Sequence, residues 1–278
     1  MTNSSSPAPA GARPPIDSCR LLLVYPEIPG ETYWSYGKAL SLIGCKSLLP
    51  PLGLLTVANM LPATCELQLV DMNVEGLSDK QLAWADAVFV SAMLVQKDSF
   101  EEVVKRAQAS GTPVVAGGPY PSSAYQSIPG VDHFVIGEAE GVLDRFWADF
   151  AAGRARKAYV RCPAGKDLEK HKAFFGPDNL VQVEGERPDL DEAPVPRFDL
   201  ARLSAYKSMA VQTSRGCPVG CEFCDIWRRF GKKPRYKPVD RILAELEQLY
   251  ALGWRRSVFV VDDNFIGNRR HLKESLLP

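Results

Sequence analysis

The chain has 278 residues, 46% of them hydrophobic and 24% charged, which predicts a globular protein of about two domains. Its 33 Lys and Arg residues equal its 33 Asp and Glu residues in number. This balance gives no electrostatic reason to expect a nucleic acid or an anionic membrane as the main partner. The sequence contains no run of about 18 apolar residues, so no membrane span is expected.

The N-terminal segment and the cysteines indicate the compartment. Residues 1–18 are rich in Ser, Pro and Ala and have no apolar stretch typical of a signal peptide, so they are predicted to be a disordered tail. Seven cysteines are an odd number for a disulfide framework. Four of them, Cys19, Cys45, Cys65 and Cys162, are predicted to be buried small side chains. Reduced cysteines indicate a cytoplasmic protein.

Residues 19–152 alternate between predicted strands and helices. The short apolar runs that predict strands are Arg20–Tyr25, Glu66–Asp71, Ala87–Ala92, Pro113–Ala116 and His133–Ile136. The segments with helical spacing of apolar residues are Pro50–Leu61, Phe100–Ser110 and Val142–Phe150. This alternation predicts an α/β domain with a doubly wound, Rossmann-like parallel sheet.

Parallel sheets of this kind bind ligands at the carboxyl ends of their strands. The candidate binding residues there are Pro26, Glu27, Ser91, Gly117, Gly118 and Pro119. Paired glycines let the backbone approach a large flat ligand, although tight strand-to-helix turns also often need glycine. No G-x-G-x-x-G follows the first strand, which argues against a nicotinamide or flavin dinucleotide.

Residues 153–207 mix charged residues, Gly and Pro with little periodicity, and they are predicted to be an interdomain linker with a short hairpin at Leu180–Val183. A second unit is predicted from residue 208 to residue 278. It would begin with a strand at Ser208–Gln212, followed by an amphipathic helix at Val239–Leu252 and a strand at Ser257–Val261.

Three cysteines follow the first strand of the second unit. Cys217, Cys221 and Cys224 stand in C-x3-C-x2-C spacing. Structural zinc usually takes four closed ligands, commonly in paired C-x2-C knuckles, and no second knuckle follows. Iron–sulfur clusters are held by Cys thiolates, normally four per cluster, so three would leave one iron open. The spacing therefore favours an iron–sulfur cluster, with zinc or purely structural thiols as the alternatives.

The cysteine motif, with Arg215-Gly216 before it and Phe223 before its last cysteine, resembles the radical S-adenosylmethionine (SAM) superfamily. The resemblance implies that the three cysteines hold a 4Fe-4S cluster whose open iron binds the amino and carboxylate groups of SAM. It also implies a SAM contact at Phe223, reductive cleavage of SAM to methionine and a 5'-deoxyadenosyl radical, and an electron donor such as flavodoxin or ferredoxin.

In that superfamily the second barrel strand often ends in Gly-Gly-Glu, which holds the SAM amino group. Asp262 and Asp263 occupy the matching place, so the resemblance implies that they accept this ammonium. Two acids here are also typical of a helix N-terminus. A radical SAM barrel, a partial TIM barrel, needs about six strand–helix units of roughly 30 residues. Residues 208–278 have room for the first two, which predicts an incomplete barrel. A fragment, a truncated gene product and half of a shared site are the open explanations, and a fragment or truncation is favoured.

Four segments of the first unit resemble the cobalamin-binding domain that precedes the barrel in one class of radical SAM enzymes. They are Tyr25–Glu27, Pro50–Thr56, Ala116–Pro119 and Ile136–Glu140. The resemblance implies that the strand-end candidates contact cobalamin. Many cobalamin domains carry D-x-H-x-x-G, whose histidine binds cobalt, but here Asp132 and His133 are adjacent. His133 is therefore predicted to be an ordinary packed histidine, with no histidine below the cobalt.

The basic, aromatic run Arg228–Lys237 can indicate nucleic-acid contact. The balanced overall charge favours a solvated loop instead, so no nucleic-acid partner is expected. The runs Cys221–Ile226 and Val261–Asn268 resemble the branch that includes the hopanoid C-2 methylases. That resemblance implies methyl transfer to an unactivated carbon of a small-molecule or lipid-like substrate, such as a hopanoid. Two alternatives are non-methylating chemistry in the same class and a cobalamin- or redox-sensing binding module without turnover.

Overall fold

The computed structural model describes residues 19–30, 32, 35–162, 165–191, 193–267 and 273–274. One parallel sheet has the strand order β2-β1-β3-β4-β5-β6-β7. Its strands are β1 Arg20–Tyr25, β2 Glu66–Asp71, β3 Ala87–Ser91, β4 Val114–Gly117, β5 His133–Ile136, β6 Ala158–Val160 and β7 Leu180–Gln182. The five strands predicted for the first unit are all present, and the parallel α/β class is confirmed.

Strand β1, which lies between β2 and β3, is buried on both faces of the sheet. Leu22 and Val24 point into one apolar core, and Leu21 and Leu23 point into the other. All four side chains have no exposed surface. A strand buried on both faces needs a continuous apolar run because successive side chains point to opposite sides.

The helices are α1 Gly37–Leu42, α2 Leu52–Met60, α3 Asp79–Trp84, α4 Lys97–Ala109, α5 Pro119–Ala124, α6 Val142–Ala151, α7 Lys166–Phe175, α8 Ile226–Arg229 and α9 Val239–Ala251. Helices α3 and α4 contribute to one core of the sheet, and α2 and α6 contribute to the other. The sheet is therefore doubly wound, as predicted. Helix α3 was not predicted, although Ser78 and Gln81 form a capping box at its start.

The sheet extends into the segment 153–207 that the sequence predicts to be a linker. Strand β6 pairs in parallel with β5, and β7 pairs in parallel with β6. The hairpin predicted at Leu180–Val183 is therefore wrong. Helix α7 makes the crossover between β6 and β7, and its last residue, Phe175, is buried in the core of the sheet. Its many charged residues obscure the apolar spacing that would have revealed it.

The second unit begins with β8 Met209–Val211, which pairs in parallel with β11 Val258–Val260. Between them, β9 Ser214–Arg215 and β10 Arg235–Tyr236 form a short antiparallel ribbon. A third apolar core joins the two units, because Leu55 of α2 packs with Phe198, Met209 and Leu249 of α9. The second unit thus lies directly against the first.

All seven cysteines are free thiols. Cys19 and Cys45 are buried as predicted, whereas Cys65 and Cys162 are only partly buried. Within the part of the chain that the structure describes, no helix is both long and apolar enough to cross a bilayer. The predicted tail 1–18, and the end of the second unit at 268–272 and 275–278, lie outside the described residues.

Candidate functional site

A cavity of about 440 Å³ lies at the carboxyl ends of β1, β3, β4 and β5. The strand order reverses beside β1, which has β2 on one side and β3 on the other, and such a reversal creates the crevice where open α/β sheets bind ligands. Apolar side chains, including Phe89, Val115 and Leu143, form most of the wall. The volume lies within the range of about 300–1,000 Å³ that is typical of small-molecule sites.

Four of the six candidate cobalamin contacts line this cavity, namely Ser91, Gly117, Gly118 and Pro119. Gly118 has φ 82° and ψ −169°, a conformation that is essentially restricted to glycine. A Cβ on Gly118 would lie 2.2 Å from Ser91 Oγ, and one on Gly117 would lie 3.2 Å from the carbonyl oxygen of Val135. The two glycines therefore keep the end of β4 closely packed and leave backbone at the cavity wall.

Pro26 and Glu27 do not line the cavity, although the preceding Tyr25 does. The carbonyl oxygen of Pro26 accepts hydrogen bonds from Gln96 Nε2 and, at 3.3 Å, from Asn73 Nδ2. Glu27 is exposed. Burial raises the pKa of Tyr25, so its hydroxyl keeps its proton. Tyr25 is thus the residue of this segment that a ligand in the cavity would meet.

The cysteine loop is fixed at its start. Gly216 has φ 96°, and a Cβ there would lie 3.1–3.2 Å from three carbonyl oxygens. The backbone N–H of Cys217 donates to the carbonyl of Gly231 at 3.1 Å, and Asn264 Nδ2 approaches Cys217 Sγ at 3.4 Å. Phe223, the proposed SAM contact, is 93% exposed.

The three cysteines are half-buried and supply the thiolate ligands that iron–sulfur clusters require. Within residues 19–30, 32, 35–162, 165–191, 193–267 and 273–274, however, no three His, Cys, Asp or Glu side chains are grouped so that they could hold a metal ion. The donor chemistry fits a cluster, but the described loop does not gather the thiols into a ligand set. The cluster at Cys217, Cys221 and Cys224 stays a prediction.

Asp262 and Asp263 fasten the backbone that leads to the cysteines. Asp262 accepts hydrogen bonds from the N–H of Thr213 at 2.6 Å, from the Thr213 hydroxyl and from Ser214 Oγ at 2.7 Å. Asp263 accepts from the N–H of Gly216 at 3.0 Å. Burial raises the pKa of Asp263, and the Gly216 hydrogen bond opposes this shift. The two acids hold the cysteine loop from the side of β11, and their contact with SAM stays a prediction.

A group of charged residues, which the sequence analysis quoted within motifs but did not choose as site residues, joins the cavity to the cysteine loop. Arg215 Nη1 donates to Glu138 Oε2 at 3.0 Å and to Glu140 Oε1 at 2.7 Å. Burial disfavours the charge on Arg215, but Glu140 and Glu138 outweigh it and hold its pKa above the ordinary value. All three residues line the cavity. Because Glu138 and Glu140 follow a buried strand, the strand-end rule that selected Ser91 could have found them.

The basic run Arg228–Lys237 forms mainly internal contacts. Arg229 pairs with Asp225 at 2.6 Å, Arg235 pairs with Glu138, and Lys237 pairs with the buried Glu245. Arg228 and Lys232 lie beside the ring of Trp227, at 4.9 and 5.0 Å from its centroid. Arg229, Arg235 and Lys237 thus have partners within the chain, and the absence of a nucleic-acid partner stays a prediction.

His133 is a packed histidine, as predicted. Its Nδ1 lies 2.7 Å from the carbonyl oxygen of Arg156, and its ring lies against Phe146 and Phe150 of α6. Burial lowers the pKa of His133, so its ring is held neutral. It is not among the residues that line the cavity, so it is not placed to bind a ligand there.

Two family models match parts of the chain. Residues 42–146 match the B12 binding domain, and residues 211–276 match the radical SAM superfamily. The first match covers the carboxyl ends of β3, β4 and β5 at the cavity, but not β1. The second begins within β8 and includes the three cysteines.

Two curated relatives align with nearly the whole chain. An uncharacterized methyltransferase of Synechocystis sp. is 44% identical over 256 residues, which are 91% of this chain and 43% of the relative. The hopanoid C-2 methylase of Rhodopseudomonas palustris is 33% identical over 262 residues, which are 94% of this chain and 46% of the relative. The chain thus spans less than half the length of these relatives.

Two solved structures share the fold. OxsB, a cobalamin-dependent S-adenosylmethionine radical enzyme with aqua-cobalamin and S-adenosylmethionine bound, has a TM-score of 0.60 and 16% identity over 94% of this chain and 36% of its own. TsrM, a radical S-adenosylmethionine methyltransferase from Kitasatospora setae, has a TM-score of 0.60 and 18% identity over 92% of this chain and 49% of its own. These two structures show a shared fold, and the two family matches show that in this chain a B12-binding domain is followed by a domain of the radical SAM superfamily.

Proposed function

We propose that the protein to which this chain belongs is a cobalamin-dependent radical SAM methyltransferase that acts on an unactivated carbon. One observation carries this proposal. Arg215 lines the cavity at the sheet edge and stands two residues before Cys217, so a cofactor in the cavity would lie beside the cysteine loop. Radical methyl transfer needs this proximity because the methyl donor and the radical must meet at one substrate carbon.

The residues divide among three cofactors. Cobalamin would occupy the cavity, in contact with Tyr25 and the strand-end residues Ser91, Gly117, Gly118 and Pro119. The 4Fe-4S cluster would be held by the three loop cysteines. SAM would lie near Phe223, Asp262 and Asp263. When bound, the cluster and SAM supply a radical that removes hydrogen from the substrate, and cobalamin supplies the methyl group.

The chain itself would bind and orient the ligand in the cavity and would exclude water from it. The apolar wall of the cavity, which includes Phe89 and Leu143, keeps water from a reactive intermediate. The polar groups on the side of the second unit are few, and they include Gln212, Arg215 and Lys237. A small number of fixed polar groups in an otherwise apolar site is enough to orient a ligand.

The substrate is proposed to be a small or lipid-like molecule such as a hopanoid, supported by the 33% identity to a hopanoid C-2 methylase. The electron donor is proposed to be a flavodoxin or a ferredoxin. A cytoplasmic location suits seven free thiols and an oxygen-sensitive cluster.

The test is to purify the full protein without oxygen, reconstitute it with iron and sulfide, and add hydroxocobalamin, a reductant, methyl-labelled SAM and an unmethylated hopanoid as the methyl acceptor. The expected products are 5'-deoxyadenosine and a labelled hopanoid. Deoxyadenosine without label transfer, under conditions where cobalamin binds, would favour non-methylating chemistry. Cobalamin absorption without formation of deoxyadenosine would overturn the proposal that the protein is an enzyme and would favour a binding module without turnover.

A further inference from the structure

The ribbon that leads into the cysteine loop contains two arginines that face each other. In the antiparallel pairing of β9 with β10, Arg215 lies directly opposite Arg235. Like charges at directly opposite positions of two strands repel and destabilise the pairing. Both side chains are largely buried, with 14% and 9% of their surface exposed, so water screens this repulsion poorly. Without a compensating negative charge, the repulsion between the two arginines would oppose the pairing of β9 with β10.

Glu138, from the loop after β5, supplies the missing negative charge. Its side chain is 5% exposed. Arg215 Nη1 donates to its Oε2 at 3.0 Å, Arg235 Nη1 donates to the same oxygen at 2.9 Å, and Arg235 Nη2 donates to Oε1 at 2.8 Å. The carboxylate thus bridges the two opposed guanidinium groups. Glu140 adds a second acid, and its ion pair among the described residues is with Arg215.

Arg235 has no other carboxylate partner among the described residues. Its remaining hydrogen bonds run to the backbone carbonyls of Pro188 and Phe230, and its buried Nε has no partner there. Loss of Glu138 would leave the Arg235 charge buried and unpaired, which is the costly way to break a buried ion pair.

The same loop of the sheet forms part of the cavity wall, because Gly137, Glu138, Ala139 and Glu140 all line it. The ribbon in turn fixes the cysteine loop. The N–H of Lys237 donates to the carbonyl of Thr213 at 2.8 Å, and that of Cys217 donates to Gly231. One carboxylate is therefore shared by the cavity wall and the support of the cysteines.

We propose that Glu138 is a positioning residue that holds the β9–β10 ribbon together and couples ligand binding in the cavity to the order of the cysteine loop. The coupling part rests on the proposed function, because it takes cobalamin as the ligand. The positioning part does not. If ligand binding in the cavity favours the ordered ribbon, the ordered ribbon must favour ligand binding by the same free energy, because coupling between two sites is reciprocal.

The first test needs no cofactor. Amide hydrogen exchange of the full protein is followed by mass spectrometry in peptides that contain Cys217 and Lys237. Glu138→Gln should speed exchange of these amides on the order of tenfold or more, because it leaves an uncompensated buried charge. Glu140→Gln, which leaves Glu138 between the arginines, should have a smaller effect. The double variant Glu138→Gln/Arg235→Gln removes the repulsion and should restore slow exchange.

This double variant distinguishes positioning from general damage to the fold. Recovery of slow exchange in the double variant would support the bridging role. Unchanged exchange in Glu138→Gln, or equal loss in the single and double variants, would overturn it. Peptides from β1 and β3 serve as the internal control and should exchange as in the wild type.

The second test uses hydroxocobalamin. Its addition should slow exchange at Cys217 in the wild-type protein and should have no such effect in Glu138→Gln at saturating cobalamin. Equal protection in both proteins would overturn the coupling. If hydroxocobalamin fails to bind the wild type, the proposed function and the coupling fail together, while the first test still decides the positioning role.

Discussion

The seven-stranded sheet and the cysteine region are held together by different forces. The sheet buries both faces of its central strands in two apolar cores. The strands beside the cysteines have two or three residues, and β8 and β11 pack in the third apolar core. The cysteine loop itself is held by Asp262, Asp263, Glu138 and a few backbone hydrogen bonds. Apolar burial is non-directional and depends mainly on the apolar area that is removed from water. Contacts between charged groups are directional, and each one depends on a partner from elsewhere in the chain.

Because different forces hold the cavity and the cysteine loop, a substitution that disrupts one of them should leave the other intact. The cavity is part of a cooperative core, so changes in its wall should affect the stability of the whole sheet. The cysteine loop depends on side chains at its edge, so changes there should alter iron binding or local order and leave the sheet intact.

The largest expected effect is on iron content. Replacement of Cys217, Cys221 and Cys224 by Ser should abolish cluster reconstitution, because thiolates are the ligands that the cluster needs. Far-UV circular dichroism and the unfolding midpoint in urea should stay close to those of the wild type. Cys162→Ser is the matched control and should keep the iron and sulfide content, measured after anaerobic reconstitution. Retained iron in the triple variant would contradict the assignment.

A change in the cavity wall should instead destabilise the sheet. Gly118→Ala places a Cβ 2.2 Å from Ser91 Oγ at a φ of 82°. The free energy of unfolding should fall by about 1–3 kcal/mol from backbone strain alone. Hydroxocobalamin binding, measured by absorption, should weaken as well.

Two further variants sharpen this result. Ser91→Ala combined with Gly118→Ala removes the hydroxyl from the close contact and should recover part of the stability, while the backbone strain persists. Gly76→Ala is the control, because no heavy atom lies within 4 Å of its added Cβ. Equal loss of stability in Gly76→Ala and Gly118→Ala would argue against a special role for the cavity wall.

The smallest expected effect concerns pH and lies in the sheet region. Burial opposes the charge of Asp149, but hydrogen bonds from Arg154 and Tyr159, at 2.9 and 3.1 Å, outweigh it and hold its pKa below the ordinary value. A lowered folded-state pKa gives stability that is present above the unfolded value of about 3.9 and is lost as the pH falls through the folded pKa.

Asp149→Asn should therefore lower the free energy of unfolding by about 1 kcal/mol at neutral pH, and the difference from the wild type should shrink as the pH falls below about 4. Urea unfolding at pH 7, 5, 4 and 3 measures this difference. Asp144→Asn, on the exposed side of the same helix, is the control. A difference that grows towards acid pH would contradict the sign of the shift.

Several features of the fold could be predicted from the sequence because they depend on neighbouring residues. Strand β1 is a continuous apolar run, and helix α9 has apolar residues at helical spacing, so both appear in the structure within about two residues of the predicted bounds. Helix α7 and strand β6 could not be found, and β7 was predicted as part of a hairpin, because three-residue strands and a charged helix carry too little periodic signal.

The sequence by itself determined the parallel sheet, the strand-end position of Ser91, Gly117, Gly118 and Pro119, and the cysteine spacing. Only the tertiary structure decided which charges meet. Glu138 lies 77 residues from Arg215 and 97 residues from Arg235. Local pattern fixes which side chains are buried, because burial follows the period of the strand or helix. The partner of a buried charge depends on how distant segments pack, and no local pattern records that.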